Sequence, residues 1–142
     1  MSMVDSFEKI PCQIFADLFA GSKFVAQEIA KLIREKQNKG EKCVLGLATG
    51  STPKTLYAEL VRMHQHESLS FRNVIAFNLD EYYPIEKQAL QSYNSFMRTN
   101  LFDKIDIDPA KCEIPNGEWK KEEVKRRCHE YEKLMESVGA IN

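Results

Sequence analysis

The amino-acid sequence predicts an α/β fold built on a parallel sheet, and two segments support that prediction. The apolar segment CVLGL at 43–47 has the length of a buried strand, and a small-residue turn and a helical pattern from Pro53 follow it. A second apolar segment of strand length, NVIAFNL at 73–79, comes after that helix. Strand, helix and strand together form a βαβ unit, whose crossover connection makes the two strands parallel.

The segment before this unit predicts an amphipathic helix from about Leu18 to Lys36. Asp17 can cap its first turn, and Gly40 is suited to end it. Before the helix, we expect residues 1–12 to be a lead-in and residues 13–16 to form a short strand. The apolar positions that recur at helical spacing are Val25, Ile29, Leu32 and Ile33.

Two further helices are predicted after the second strand. Ser92 can cap the first of them. Residues 106–117 are rich in proline and turn-forming pairs, which indicates a turn segment. The second helix runs from Lys120 to Val138 and has the clearest apolar periodicity in the chain. Its predicted inward positions are Val124, Cys128, Tyr131, Met135 and Val138.

We expect residues 13–142 to be the N-terminal part of a single larger domain. Ile141 and Asn142 would begin the next element after the last helix. A parallel sheet of so few strands has an uncovered edge, which water or a partner must satisfy. The sequence therefore predicts a homo-oligomer or an association with a C-terminal part.

The composition excludes several classes of protein. The chain of 142 residues has 20 basic and 21 acidic residues and a net charge of −1, so no partner of strong negative charge is indicated. No apolar segment approaches the length of a membrane span, and the first residues lack the features of a secretory signal. We therefore expect a cytoplasmic protein that binds neither nucleic acid nor a membrane.

The cysteines and histidines do not predict a metal site. The four cysteines are widely spaced without a CxxC pair, so reduced thiols are expected, with Cys43 and Cys128 in the core. His64 and His66 are two residues apart on a helix and point in different directions, which disfavours a shared metal. His129 lies in a charged helix, where a solvated side chain is expected. The sequence predicts no metal and no cofactor.

The turn between the first strand and its helix is suited to an anion. Thr49, Gly50, Ser51 and Thr52 offer hydroxyls and unhindered backbone, Thr52 is placed to cap the helix, and Pro53 is a favoured first helical residue. The positive end of the helix dipole then points out of the turn. A phosphate or a small phosphorylated molecule is the expected ligand. The same residues would also suit an ordinary tight turn, and the absence of GxGxxG and GxxxxGK[ST] disfavours a dinucleotide and a nucleotide P-loop.

Asp80 and Glu81 follow the second predicted strand directly. Parallel neighbours end at the same edge of a sheet, and ligands bind at that edge in open α/β folds, so these carboxylates are expected near the turn. A carboxylate beside a bound sugar phosphate can accept a proton from carbon next to a carbonyl, or from water. Only one of the pair can face the ligand, because adjacent side chains diverge. The alternative is that both simply open a loop.

Three segments in this order resemble the glucosamine-6-phosphate deaminase (isomerase) family. They are LGLATGSTPKTLYAELVRMH at 45–64, SFRNVIAFNLDEYY at 70–83 and SYNSFMRTNLFDKIDI at 92–107. The superfamily also contains the 6-phosphogluconolactonases, which typically have Asp-Glu-Arg where this chain has Asp80, Glu81 and Tyr82. The deaminase branch is therefore the better match.

The resemblance implies a Rossmann-like three-layer α/β/α enzyme without a cofactor. Such an enzyme converts glucosamine 6-phosphate and water to fructose 6-phosphate and ammonia. The resemblance implies that Asp80 moves a proton between C2 and C1, with Glu81 beside it in the site. It also implies that the Thr49–Thr52 turn holds part of the phosphate of a phosphorylated amino sugar.

One feature of the family motif set is missing from this sequence. The family's ring-opening histidine belongs to a later motif, and His64, His66 and His129 do not match it. The chain is therefore expected to be inactive alone. The alternatives are a non-catalytic sugar-phosphate-binding module or subunit, and a hydrolase that resembles the lactonases.

Overall fold

The computed structural model describes residues 11–142, and a three-stranded parallel sheet lies at its centre. The sheet order is β1-β2-β3, so each connection crosses over through at least one helix. The α/β prediction is confirmed. The elements are α1 (Leu18–Asn38), β1 (Cys43–Leu47), α2 (Thr52–His66), β2 (Val74–Asn78), α3 (Tyr93–Asn100), β3 (Cys112–Glu113) and α4 (Val124–Ser137), with two short 3-10 turns at Phe102–Lys104 and Pro109–Lys111.

The hydrophobic core lies between one face of the sheet and helices α1, α2 and α3. Alternate residues of β1 and β2 point to this face, because successive side chains of a strand point to opposite faces. The opposite face carries Phe77, whose ring packs edge-on against Tyr131 of α4 at 5.7 Å between centroids. The sheet therefore lies between two helical layers. The strand residues of the main core are Cys43, Leu45, Leu47, Val74 and Ala76.

Helix α1 begins and ends as predicted, but its buried face differs. Asp17 accepts a hydrogen bond from the Ala20 N–H at 2.7 Å, and Gly40 follows the helix in the left-handed region with φ +69°. The prediction that Val25 faces the core is wrong, since Val25 is exposed. Ile33 is buried as predicted, and small residues that let α1 approach α2 closely form the rest of the buried face. That face consists of Ser22, Ala26, Ala30 and Ile33.

Two predictions for the beginning of the chain have different outcomes. Residues 1–10 of the predicted lead-in 1–12 lie outside the described residues, and residues 11 and 12 are irregular. The predicted strand at 13–16 is wrong, because these residues form no strand. Asn142 lies beside the edge of β1 that β2 does not use, and its N–H donates to the Val44 carbonyl at 3.0 Å.

The second half of the chain contains two differences from the sequence prediction. Residues 106–117 were expected to be turns only, but Cys112 and Glu113 form β3, which pairs with Ala76 and Phe77 of β2. The two-residue strand is too short to show a periodicity.

Helix α4 is present, but none of its residues is buried and Cys128 is exposed. The prediction of a core cysteine at 128 is therefore wrong, while Cys43 is fully buried as predicted.

Candidate functional site

The glycine turn and the carboxylates lie at the same edge of the sheet. In the parallel ladder, Leu47 is opposite Asn78, and the Leu79 N–H donates to the Leu47 carbonyl at 3.1 Å. Thr49 and Asp80 each follow this last pair by two residues, and both interact with the side chain of Tyr93. The prediction that the two strand ends meet at one edge is confirmed.

The turn before α2 leaves backbone donors available. Gly50 has φ +109°, and a Cβ there would meet no atom within 4 Å, so the glycine is required by its backbone conformation. Thr52 is the first helical residue and not the N-cap, which corrects the predicted cap by one position. Ser51 holds the N-cap position with helical dihedrals, and its side chain makes no capping bond. Pro53 has no N–H and the Lys54 N–H donates to the Ser51 carbonyl at 3.3 Å, so the Thr52 N–H and the hydroxyls of the turn are the donors left to face an anion.

Helix α2 also fixes the strand end before this turn. The Tyr57 hydroxyl donates to the Ala48 carbonyl, and burial raises the pKa of Tyr57 to about 12. The phenol therefore stays a hydrogen-bond donor at neutral pH. The Thr55 and Ser22 hydroxyls are 2.6 Å apart, which joins the first turn of α2 to α1. These contacts place the turn without using any of its own side chains.

Glu81 is held by the beginning of helix α3. One carboxylate oxygen accepts the backbone N–H groups of Tyr82 at 2.9 Å and Tyr93 at 2.8 Å. The other oxygen accepts the Asn94 N–H at 3.0 Å. A carboxylate at a helix N-terminus satisfies unpaired amides and complements the helix dipole. Glu81 therefore points at the helix and not at the turn.

Asp80 differs from Glu81 in that its side chain is exposed and accepts no hydrogen bond within the described part of the chain. The Tyr93 phenol lies close to it and interacts with the hydroxyls of Tyr82 and Thr49. Hydrogen bonding with Tyr82, and to a smaller extent the negative charge of Asp80, raise the pKa of Tyr93. The Tyr82 and Tyr93 rings are 4.7 Å apart between centroids. Asp80 is thus an exposed carboxylate near the Tyr93 phenol, which itself interacts with the Tyr82 and Thr49 hydroxyls.

The loop after Asp80 is packed against the loop after β3. The Ile85 N–H donates to the Gly117 carbonyl at 3.0 Å, and the Tyr83 hydroxyl donates to the Trp119 carbonyl at 2.9 Å. A Cβ at Gly117 would lie 2.6 Å from the Tyr82 carbonyl oxygen, so only glycine fits there. This close approach holds one wall of the site in place.

The sequence analysis missed the position of the Tyr93 hydroxyl. A tyrosine directly after the predicted helix cap gives no signal for a polar role. The histidines lie elsewhere. His64 Nδ1 is 2.6 Å from the Leu69 carbonyl, near the beginning of β2, and His66 and His129 are exposed. Among residues 11–142 no cluster of three or more His, Cys, Asp or Glu side chains could hold a metal ion.

Relatives of known name support the resemblance seen in the sequence. A glucosamine-6-phosphate deaminase of Borrelia garinii is 44% identical over 121 residues, which cover 84% of this chain and 44% of that protein. The solved structure of a monomeric glucosamine-6-phosphate deaminase is 38% identical, with a TM-score of 0.81, and the match covers 92% of this chain and 50% of that one. The chain thus spans about half of the length of these relatives.

A more distant structure shares the fold alone. The 6-phosphogluconolactonase of Thermotoga maritima is 18% identical, with a TM-score of 0.67 and coverage of 87% of this chain and 52% of that one. The model of the family described as glucosamine-6-phosphate isomerases/6-phosphogluconolactonase matches residues 17–141, which include every element of the sheet and the candidate site. The chain belongs to the glucosamine-6-phosphate isomerase/6-phosphogluconolactonase family.

Proposed function

We propose that this chain carries the phosphate-binding turn and the proton-transferring carboxylate of a glucosamine-6-phosphate deaminase. The reaction joins glucosamine 6-phosphate with water and yields fructose 6-phosphate and ammonia. The observation that supports it is the meeting of the Thr49–Thr52 turn and the free carboxylate of Asp80 at one edge of the sheet. Deaminases at 38% to 44% identity favour this activity over that of a lactonase.

The substrate's phosphate would bind at the beginning of α2. The hydroxyls of Thr49, Ser51 and Thr52 and the Thr52 N–H would be donors, and Gly50 leaves space for the anion. Lys54 adds a positive charge in the first turn of α2, and its ammonium lies 5.7 Å from the centre of the Phe96 ring. This arrangement distinguishes a phosphorylated sugar from the free sugar.

Asp80 would act as the base that moves a proton between C2 and C1. An exposed carboxylate beside a bound sugar can accept the C2 proton and return it to C1, which converts an aldose derivative to a ketose derivative. Glu81 is then a positioning residue. Its three backbone hydrogen bonds fix the chain on one side of Asp80, as the strand fixes it on the other.

Within the described residues 11–142, the three histidines lie away from the turn and Asp80, so none of them is placed to open the sugar ring. The contribution proposed here is therefore phosphate binding and proton transfer on an open-chain sugar. A second candidate is a sugar-phosphate-binding module without catalysis, and the position of the three histidines away from the turn favours it. We place the protein in the cytoplasm, since its four cysteines are free.

The two candidates are separated by proton exchange. Fructose 6-phosphate with ammonium in ²H₂O supplies the open-chain ketose side of the reaction, and NMR follows deuterium entering C1. We expect exchange with the native chain, none with Asp80→Asn, and native exchange with Asp103→Asn, which changes an exposed aspartate elsewhere. Binding of fructose 6-phosphate by calorimetry without any exchange would support the non-catalytic module. Failure to bind either glucosamine 6-phosphate or fructose 6-phosphate would overturn both candidate functions.

No helix within residues 11–142 is long and apolar enough to cross a membrane.

A further inference from the structure

Tyr93 connects the two parts of the candidate site. It is the first residue of α3, whereas Thr49 comes shortly after β1 and Asp80 shortly after β2. The Tyr93 phenol interacts both with the Thr49 hydroxyl and with the charge of Asp80. A ligand that extends from the turn to Asp80 therefore lies within reach of this phenol.

The backbone around Tyr93 is held in place by its own neighbours. One oxygen of Glu81 accepts the N–H groups of both Tyr82 and Tyr93, at 2.9 and 2.8 Å. The hydroxyl of Ser92, which is fully buried, accepts the Ser95 N–H at 3.0 Å and so caps the helix at this point. The Tyr82 and Tyr93 rings are 4.7 Å apart between centroids. The Tyr93 hydroxyl is thus presented from a fixed position, which lowers the entropy cost of binding a ligand there.

The hydroxyls of Thr49, Tyr93 and Tyr82 form a chain of donors and acceptors. Hydrogen bonding with Tyr82 raises the pKa of Tyr93, and hydrogen bonding with Thr49 lowers that pKa by a smaller amount. A bond that lowers the pKa of a phenol is one donated to its oxygen, because such a bond stabilises the phenolate. Thr49 is therefore the donor to Tyr93, and the proton of Tyr93 is available to Tyr82.

A phosphate at the turn would change this chain of hydroxyls. The oxygens of a phosphate dianion are acceptors, so the Thr49 hydroxyl has to direct its single proton to the anion in order to bind it. The bond from Thr49 to Tyr93 is then lost, and the Tyr93 oxygen needs another donor. A ligand hydroxyl can fill this place, since it donates and accepts.

The substrate class of the proposed function carries hydroxyls at the required place. Its phosphate is at one end of an open sugar chain, and the proton moves at the other end. The hydroxylated carbons between them therefore have to span the distance from the turn to Asp80. Tyr93 interacts with groups at both ends of that distance.

We propose that Tyr93 is a specificity-determining residue that couples the two parts of the site: phosphate bound at the turn takes the hydrogen bond of Thr49, and the Tyr93 hydroxyl then binds a hydroxyl of the open sugar chain. This inference rests on the proposed function for its substrate class. It makes the site selective for a phosphate ester with a hydroxylated chain over an ester without one.

Calorimetry of the 142-residue chain with two unreactive probes tests the binding role. Glucitol 6-phosphate has an open hydroxylated chain, and ethyl phosphate has the same charged group without hydroxyls. Tyr93→Phe should weaken binding of glucitol 6-phosphate by about three- to tenfold, as expected for one neutral hydrogen bond. It should not weaken binding of ethyl phosphate, because Thr49 then has no competing acceptor. Tyr83→Phe removes a hydroxyl that donates to the Trp119 carbonyl, and it should leave the ratio of the two affinities unchanged.

NMR tests the coupling between Thr49 and Tyr93. In a chain labelled with ¹³C at the hydroxyl-bearing carbon of tyrosine, ethyl phosphate should shift the Tyr93 resonance and leave the Tyr83 resonance in place. Thr49→Val keeps the shape of the side chain and removes its hydroxyl. In that variant the Tyr93 resonance should already be shifted without the probe, and ethyl phosphate should move it no further.

Each outcome decides the proposal. Equal weakening of both probes by Tyr93→Phe, or weakening of neither, would overturn the binding role. A native Tyr93 resonance that ethyl phosphate does not shift would overturn the coupling. Selective loss of glucitol 6-phosphate, combined with no deuterium exchange in the assay of Asp80, would support the role of Tyr93 and remove that of Asp80. Failure of the native chain to bind either probe would overturn this proposal and the proposed function together.

Discussion

The carboxylate of Glu81 and the backbone N–H of Tyr93 are 2.8 Å apart, and this bond joins the end of β2 to the beginning of α3. The same carboxylate also accepts the backbone N–H groups of Tyr82 and Asn94. Three backbone amides therefore hold the side chain of the residue directly after Asp80. Two adjacent acidic residues thus have different surroundings. One is held by backbone amides and the other is free to meet a ligand.

Replacing Glu81 by Gln should reduce the free energy of unfolding by about 1–2 kcal/mol, because charge-assisted bonds to three amides become neutral or are lost. Asp80→Asn should leave stability within about 0.5 kcal/mol, since its side chain is exposed. Urea denaturation measures both values. Glu86→Gln, at an exposed position in the same loop, is the matched control. Equal stability of Glu81→Gln and the native chain would contradict a positioning role.

The sequence predicted the part of the fold that depends on long apolar segments. Strands β1 and β2 form within the predicted segments 43–47 and 73–79, at 43–47 and 74–78, and parallel pairing followed from the helix between them. The two-residue β3 could not be predicted, because its pairing depends on β2 and not on its own residues. The buried face of α1 was misassigned because close packing against α2 selects small residues over Val25. In the site, the roles of Glu81 and Tyr93 depend on a helix end brought there by the tertiary fold.

Gly117→Ala should destabilise the protein by about 1–3 kcal/mol, because the added methyl would meet the Tyr82 carbonyl oxygen at 2.6 Å and the Ile85 Cγ2 at 2.4 Å. The loop beside Asp80 would have to move. Gly21→Ala is the matched control, because Gly21 lies inside helix α1. An added methyl there would make only ordinary van der Waals contact, with the Phe15 ring at 3.4 Å. That control should be neutral or stabilising by up to about 1 kcal/mol. Thermal melts of the two variants in parallel decide between these outcomes.

Asp106 makes the stability of the chain depend on pH in the acid range. Burial alone would raise its pKa, but hydrogen bonds from the Phe71 N–H at 2.6 Å and the Ser70 hydroxyl at 2.7 Å outweigh burial and hold the pKa below its ordinary value of 3.8. The folded state therefore keeps this stabilisation above pH 3.8 and loses it as the pH falls through the folded pKa.

We expect Asp106→Asn to cost about 1–3 kcal/mol at pH 7, because the carboxylate is lost while its donors remain. The difference from the native chain should shrink below pH 3.8, where the native carboxylate also becomes protonated. Urea unfolding at about seven pH values between pH 2.5 and pH 7 measures whether the difference in the free energy of unfolding shrinks in this way. Asp108→Asn, an exposed aspartate nearby, is the control. A difference that does not vary with pH would exclude titration of Asp106 as its source.

The four cysteines should differ sharply in reactivity. Cys12 and Cys128 are exposed, whereas burial raises the pKa of Cys43, and burial with the nearby Asp108 charge raises the pKa of Cys112 to about 12. The thiolate is the reactive form, so alkylation at pH 7.5 should modify Cys12 and Cys128 first. Mass spectrometry of peptides gives the order. Urea should make all four react at similar rates, which controls for reagent access.

Tyr131 is the polar link between α4 and the sheet, and its removal should loosen that helix selectively. Its single hydroxyl proton is shared between the carbonyls of Asn78 at 2.7 Å and Glu113 at 3.0 Å, and α4 has no buried residue to replace this contact. Tyr131→Phe keeps the ring packed on Phe77 but removes both bonds, at a cost of about 1–2 kcal/mol. Hydrogen exchange should therefore accelerate in α4 and stay unchanged in α2, whose Tyr57 and Leu60 are in the main core.

The control is Tyr83→Phe, which removes a hydroxyl bond to the Trp119 carbonyl in the neighbouring loop and leaves the α4 contacts intact. Faster exchange in α4 with Tyr131→Phe alone would assign the attachment of this helix to the one hydroxyl. Unchanged protection of α4 would mean that the edge-on packing of the two aromatic rings is sufficient.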